Sequence, residues 1–347
     1  MAESISVLVV DDSAFMRKMV TQILTGAGGI SVVGQAHDGR DALLKAEKLR
    51  PDVITLDVEM PEMDGVTALR EITSRFKIPV VMLSSVTQAG ASTTMKCLEL
   101  GAVDFVAKPS GSISLDIADV AAELIAKVRA AVRSKHVAPI AAPKVQPIIG
   151  GNSRKSVVVI GSSTGGPRAL QAVIPALPVN LKVPIVVVQH MPPTFTKTLA
   201  DRLNMASGLE VKEAAEGDRL TPGQVLVAPG GHHLEFDSQG KAYFNDGPPV
   251  HGVKPSVDVT LASLVRTYGH RMVGVLLTGM GSDGAAGLRA IHMAGGTTIV
   301  ESESTCVVFG MPKAAIEMRA VDFTIPLGHV AMAIVEAVTD SSAARAS

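Results

Sequence analysis

Tryptophan is absent from this 347-residue chain, and aromatic residues of all kinds make up only 3% of it. Stacking platforms for single-stranded nucleic acid are built from such rings, so this scarcity argues against that mode of binding. Cysteine is nearly as scarce. Cys97 and Cys306 stand alone and far apart, which excludes a disulfide framework and a four-cysteine zinc site and fits a reducing compartment. An excess of either charge is also missing: 32 Lys and Arg against 33 Asp and Glu leave a net charge of −1. No bulk basic charge is available for a phosphate backbone. No apolar run reaches the roughly 18–20 residues of a membrane span. Met1–Ser6 has neither a basic n-region nor an apolar h-region, so no signal peptide is expected. The expectation is a soluble, cytoplasmic protein.

What is present is aliphatic. Hydrophobic residues reach 47% and the mean hydropathy is +0.32, enough to exclude a disordered chain. Two α/β blocks emerge, because short β-branched runs alternate with stretches of three-to-four apolar spacing. Residues 1–133 hold 14 basic and 17 acidic side chains, residues 134–155 four basic and no acidic ones, and the remainder 14 and 16. The middle segment, rich in Pro, Ala and Gly without periodicity, reads as a solvated linker. The expected organisation is a first domain over 1–133, a linker over 134–155, a second domain over 156–340 and a frayed tail over 341–347. Both domains are expected to be doubly wound parallel sheets, the second with a small antiparallel hairpin between His233 and Phe244.

In the first block, Asp11 and Asp12 end the first predicted strand and Asp57 the third. Parallel strands point the same way, and ligands bind at their carboxyl ends. Three carboxylates, with Glu59 just beyond, would repel one another unless a cation joined them, and hard oxygen donors with room for water suit Mg²⁺. Lys108, ending the fifth strand before Pro109, supplies a second positive charge. A carboxylate so placed can attack a phosphoryl group. The plainer reading of Asp11 or Asp12 alone is a helix N-cap.

Val9-Val-Asp-Asp-Ser13, Leu56-Asp-Val-Glu-Met-Pro-Glu-Met-Asp-Gly65, Leu83-Ser-Ser85 and Val106-Ala-Lys-Pro109 together resemble the signature of two-component receiver domains over about residues 4–130. The resemblance implies a flavodoxin-like (βα)5 fold with Asp57 as phospho-acceptor. It implies Mg²⁺ held by Asp12, Asp57 and the Glu59 carbonyl, with Asp11 acting through water. Ser84, Phe105 and Lys108 take the switch positions, Phe105 lacking the hydroxyl of the Tyr often found there.

The second block opens with Val157–Ile160 and Gly161-Ser-Ser-Thr-Gly165, a G-x-S-x-G turn before a helix. Such a turn leaves room for a strained nucleophile, here Ser163, with helix N–H groups behind it for an oxyanion. The lysine of a phosphate-binding loop is absent. Candidate bases are His190, directly after the run Ile185–Gln189, and the loop pair His232 and His233. Candidate orienting acids are Asp283, following the strand at Val273–Leu277, and Asp258 inside a predicted helix. The order Ser, His, Asp differs from the α/β-hydrolase order and points to another fold with the same geometry.

Ile160-Gly-Ser-Ser-Thr-Gly-Gly166, Gln189-His-Met-Pro-Pro193, Pro255-Ser-Val-Asp258, Leu277-Thr-Gly-Met-Gly-Ser-Asp-Gly-Ala285 and Cys306-Val-Val-Phe-Gly-Met-Pro312 resemble the catalytic domain of chemotaxis protein-glutamate methylesterases. The resemblance implies Ser163 as nucleophile, His190 as base, Asp283 as orienting acid and the Met280 N–H in the oxyanion hole. Ser282 replaces the Asn often found there. It implies hydrolysis of glutamate γ-methyl esters on chemoreceptors and deamidation of receptor glutamines, with no cofactor in this half. A chemotaxis histidine kinase would be the phosphoryl donor, and the unphosphorylated receiver would cover the active-site face. The competing functions are a transcriptional response regulator, which lacks its basic helix-turn-helix here, and a non-catalytic nucleotide-binding or scaffold protein.

Overall fold

The computed structural model describes residues 4–108, 116–134 and 155–339. The expected linker falls almost wholly outside them, as do the tail and Pro109. The chain divides into two compact units, Met1–Val137 and Ala138–Ser347.

The first unit alternates β1 (Ile5–Val10), α1 (Ala14–Gly26), β2 (Ile30–Ala36), α2 (Gly39–Leu49), β3 (Val53–Asp57), α3 (Gly65–Glu71), β4 (Val80–Ser84), α4 (Gln88–Glu99), β5 (Asp104–Ala107) and α5 (Asp116–Ser134). The strands form one parallel sheet in the order β2-β1-β3-β4-β5, the flavodoxin-like winding. Side chains alternate across each strand. Val7 and Val9 pack with Val20, Leu24, Leu124 and Val128 of α1 and α5, and α2, α3 and α4 cover the other face. Polar caps set the helix starts. Ser13, Asp38, Asp64 and Thr87 each accept an N–H from the first turn of α1, α2, α3 and α4. Helix α3 is followed directly by a π turn, Ile72–Phe76.

The second unit contains β6 (Val157–Ser162), α6 (Gly166–Val173), β7 (Ile185–Gln189), α7 (Phe195–Ala206), β8 (Glu210–Glu213), β9 (Gln224–Val227), β10 (His233–Phe236), β11 (Ala242–Asn245), α8 (Val257–Tyr268), β12 (Met272–Leu276), α9 (Ala285–Met293), β13 (Thr297–Glu301), α10 (Met311–Glu317), β14 (Phe323–Ile325) and α11 (Leu327–Thr339). Seven parallel strands run in the order β14-β13-β12-β6-β7-β9-β8, and β10 and β11 form the expected antiparallel hairpin. Val157, Val159, Val186 and Val188 meet α8 and α9 on one face, and α6, α7 and α11 take the other. The central strands β6, β7 and β12 are buried along their whole length, as a sheet covered on both faces requires. Strand β8, Glu-Val-Lys-Glu, was not expected. It lies at the sheet edge, where charge is tolerated and the apolar run that marks inner strands is unnecessary.

Candidate functional sites on two sheet edges

In the first unit, parallel pairing of Val10 with Leu56 brings the ends of β1 and β3 side by side. Asp11 and Asp57 are buried there, and Asp12 is exposed. Each of the three offers an oxygen within 4.8 Å of the others. Neither Asp11 nor Asp12 caps α1. Ser13 does, while Asp11 Oδ1 accepts the Ser13 N–H at 2.9 Å and Arg17 donates to the Asp11 and Asp12 carbonyls at 2.7 and 3.0 Å. The Lys108 N–H donates to the Ser84 carbonyl at 2.7 Å, continuing β5 past its end. Its Nζ then lies 2.8 Å from Asp57 Oδ2 and 2.9 Å from Asp11 Oδ2.

Burial pushes the Asp57 carboxyl up to about 6; Lys108 opposes this, Asp11 adds to it, and an N–H from Glu59 also opposes it. Burial pulls the Lys108 ammonium down, but Asp11 and Asp57 outweigh it and the net direction is up. One lysine does not fully compensate two buried carboxylates. Three convergent hard oxygens, one open to water, are a donor set that fits Mg²⁺. Ser84 and Phe105, the remaining switch positions, are both buried. Ser84 Oγ accepts from Thr94 Oγ1 at 2.6 Å. Lys127 Nζ lies 5.0 Å from the Phe105 ring centroid and donates to the Phe105 carbonyl at 2.6 Å.

In the second unit, β6 ends at Ser162 and β7 at Gln189, paired in register, so Ser163 and His190 are the first residues beyond two adjacent strands. The strain expected at Ser163 falls elsewhere. Among the described residues with positive φ, Ser163 does not figure; Gly165 carries the left-handed turn at φ 77° and caps α6. At Gly161, a Cβ would lie 2.6 Å from Val257 and 2.8 Å from Leu276, so the first glycine of the motif permits close packing. The Ser163 N–H donates to the Thr278 carbonyl at 3.0 Å. A Cβ at Gly279 would lie 2.9 Å from that of Ser163, so the segment leading into Met280 passes directly against Ser163.

His190 Nε2 lies 2.8 Å from Asp283 Oδ2. Its Nδ1 is buried and has no hydrogen-bond partner, so no bond to Ser163 is made in this conformation. Asp283 does not cap the helix that follows it; Gly284 is the N-cap of α9. Asp283 instead caps α8 from across the edge. Its Oδ1 accepts from Ser256 Oγ at 2.8 Å and the Asp258 N–H at 3.1 Å, and its Oδ2 from the Val257 N–H at 2.7 Å. Burial raises the Asp283 carboxyl, but His190 and these N–H donors outweigh it, so the group sits below the ordinary aspartate value.

The rival candidates have other partners. His233 is buried between the Ser256 N–H and the Pro248 carbonyl, His232 pairs with exposed Asp246, and Asp258 pairs with His251 at 3.0 Å. Sequence reasoning did not single out Ser256, Gln189, Thr278 or Glu301 as site residues. Thr278 donates its N–H to buried Glu301 at 2.8 Å and its hydroxyl to the Thr164 carbonyl at 2.9 Å, fixing the turn before Met280. All but Glu301 stand inside the quoted motifs, which was the signal available.

Two family models match this chain: one described as CheB methylesterase, over residues 158–334, and one described as response regulator receiver domain, over residues 7–118. The fold and these matches define the class, a receiver unit followed by a parallel α/β methylesterase unit. The chain belongs to the CheB methylesterase family. Among its relatives, the protein-glutamate methylesterase/protein-glutamine glutaminase of Symbiobacterium thermophilum is 50% identical over 96% of this chain and 97% of its own. The protein of the same name from Archaeoglobus fulgidus is 51% identical over 95% and 97%. The crystal structure of the Thermotoga maritima CheB methylesterase catalytic domain matches with a TM-score of 0.52 at 48% identity, covering 53% of this chain and 99% of that one. Among the described residues, no helix is long and apolar enough to cross a membrane.

Proposed function

We propose that the chain hydrolyses glutamate γ-methyl esters on chemoreceptors, and deamidates receptor glutamines, through Ser163, His190 and Asp283. The observation that carries this reading is the contact of His190 Nε2 with Asp283, which leaves Nδ1 unpartnered. Asp283 Oδ2 accepts from Nε2, so in the neutral ring Nε2 carries the proton and the unpartnered Nδ1 carries the lone pair. Nδ1 then takes the Ser163 hydroxyl proton as Oγ attacks the ester carbonyl carbon. Backbone N–H groups, that of Met280 among them, receive the developing oxyanion. The imidazolium returns its proton to the departing methoxide, which leaves as methanol. Water, deprotonated by the same nitrogen, cleaves the acyl-enzyme and restores the serine. For a glutamine the leaving group is ammonia. Asp283 fixes the ring and stabilises its charged form throughout.

The first unit, residues 1–133, is read as the control element. A chemotaxis histidine kinase is the proposed donor and Asp57 Oδ the acceptor. Asp11, Asp12, Asp57 and the Glu59 carbonyl would hold Mg²⁺, which when bound neutralises charge on the phosphoryl oxygens. Lys108 supplies the second cation at this edge, and Ser84 and Phe105 are its switch residues. Phosphorylation shifts the population toward a more active form of the 156–340 unit. The chain acts in the cytoplasm, where both the kinase and the receptor helices are accessible. The direct test is methanol release from methylated receptor membranes by Ser163→Ala: loss of release is expected, and unchanged release would rule out the serine mechanism.

A further inference from the structure

The hydrogen-bond ladder between β6 and β7 stops at Ser162 and Gln189, and His190 N–H closes it by donating to the Ser162 carbonyl at 3.2 Å. Ser163 and His190 therefore stand just past the ordered sheet, where two loops would normally part. The Gln189 side chain bridges them. It is 2% exposed. Its Nε2 donates to the Ser163 carbonyl at 3.0 Å and to the His190 carbonyl at 3.1 Å, and its Oε1 accepts from Ser162 Oγ at 2.7 Å. The chemistry fixes the amide orientation, because the reverse would aim Oε1 at two carbonyl oxygens. Space for this side chain is made by Gly166, where a Cβ would come within 2.0 Å of Oε1. The Gly166 N–H also donates to the Ser163 carbonyl, at 2.7 Å, so that carbonyl is held twice. The arrangement also removes Ser162 as a rival nucleophile, since it is fully buried with its hydroxyl engaged.

We infer that Gln189 is a positioning residue that adds one side-chain rung to the sheet and so fixes the backbone of the nucleophile and of the base relative to each other. The inference rests on the Ser163–His190 reading above. It needs both N–H groups of an amide. A carboxylate of the same shape would turn an oxygen on two carbonyls, and a methionine would fill the volume and donate nothing.

The test uses the full-length chain, methylated receptor membranes and a serine-directed fluorophosphonate, with rates expressed per folded molecule. Gln189→Met is expected to lower kcat roughly ten- to hundredfold, with KM within about twofold, because the loss is of alignment rather than of substrate contact. Fluorophosphonate labelling should slow in parallel, and Gln189→Glu should be slower than Gln189→Met. Ser162→Ala, which removes one anchor of the amide, should lower kcat a few-fold, and the double variant should be no slower than Gln189→Met alone. If Gln189→Met does not fold, Ser162→Ala carries the test, and full kcat in that variant overturns the inference. Full kcat and full labelling in folded Gln189→Met also overturn it, as does a rise in KM at unchanged kcat. Ser163→Ala separates the two claims. If it keeps activity, the serine reading fails; if it is inactive while Gln189→Met is normal, only the positioning role falls.

Discussion

Asp57 ends one inner parallel strand and Asp283 lies in the loop beyond another, and they are 3% and 2% exposed. Their acidities nevertheless move in opposite directions. Asp57 is pushed up to about 6 by burial, with Lys108 as its main relief and Asp11 as a like-charged neighbour. Asp283 is equally buried but receives a hydroxyl, two backbone N–H groups and an imidazole, and its carboxyl falls below the ordinary value. Burial alone does not set the state of a buried acid; the count and direction of its donors do. One carboxylate is left with an unmet demand for positive charge, as suits a group that takes up a cation and a phosphoryl group. The other is held below the ordinary aspartate value by its donors, as suits a group that orients an imidazole.

The same substitution at both positions sharpens the contrast most. Asp283→Asn should lower methanol release by roughly 10⁴-fold, because the amide no longer enforces the His190 tautomer. Asp57→Asn should leave basal release intact and abolish its stimulation by a phosphoryl donor; both outcomes are read in one release assay. Stability should separate them next. In urea, Asp283→Asn is expected to cost its unit about 2–4 kcal/mol, since donors aimed at two carboxylate oxygens would meet an amide nitrogen. In Mg²⁺-free buffer at pH 7, Asp57→Asn should stabilise the other unit by about 1–3 kcal/mol, by removing a poorly compensated charge.

The pH dependence should carry opposite signs. Asp57 is raised from 3.8 to about 6, so the folded receiver binds the extra proton between those values. Its metal-free stability should fall as pH rises from about 4 to 6, by about 2–3 kcal/mol at most. Asp283 is depressed below 3.8, so its contribution is present above about pH 4 and is lost as pH falls through its folded value. Urea midpoints of each unit at pH 3, 4, 5 and 6 distinguish the two slopes. Mg²⁺ should stabilise the receiver transition by a comparable amount, up to about 3 kcal/mol at hundredfold saturation. It should leave the methylesterase transition where it is, and Asp57→Asn should blunt the receiver response.

Much of this contrast was legible before any coordinates. Val7–Asp11, Val53–Asp57, Val80–Ser84 and Val103–Ala107 announce parallel strands by short β-branched runs, and their ends place Asp11, Asp57 and Lys108 on one edge. Gly161-Ser-Ser-Thr-Gly165 and His190 after Gln189 do the same for the second sheet. What could not be read was set by partners distant in sequence. The role of Asp283 as a cap for α8 depends on Ser256, Val257 and Asp258 meeting it from 25 to 27 positions away. The edge strand β8 and the short helix α10, with proline in its first turn, lack the periodic apolar signal of buried elements. Strand order in the seven-stranded sheet, with β9 between β7 and β8, follows from packing rather than local pattern.

The central claim is that Ser163 performs ester hydrolysis under the control of Asp57. It is tested most directly by methanol release from methylated receptor membranes by the full-length chain, with and without a small-molecule phosphoryl donor and Mg²⁺, in wild type, Ser163→Ala and Asp57→Asn. The account predicts donor-stimulated release in wild type, none in Ser163→Ala under either condition, and basal, unstimulated release in Asp57→Asn. Undiminished release by Ser163→Ala, or full stimulation of Asp57→Asn, would contradict it.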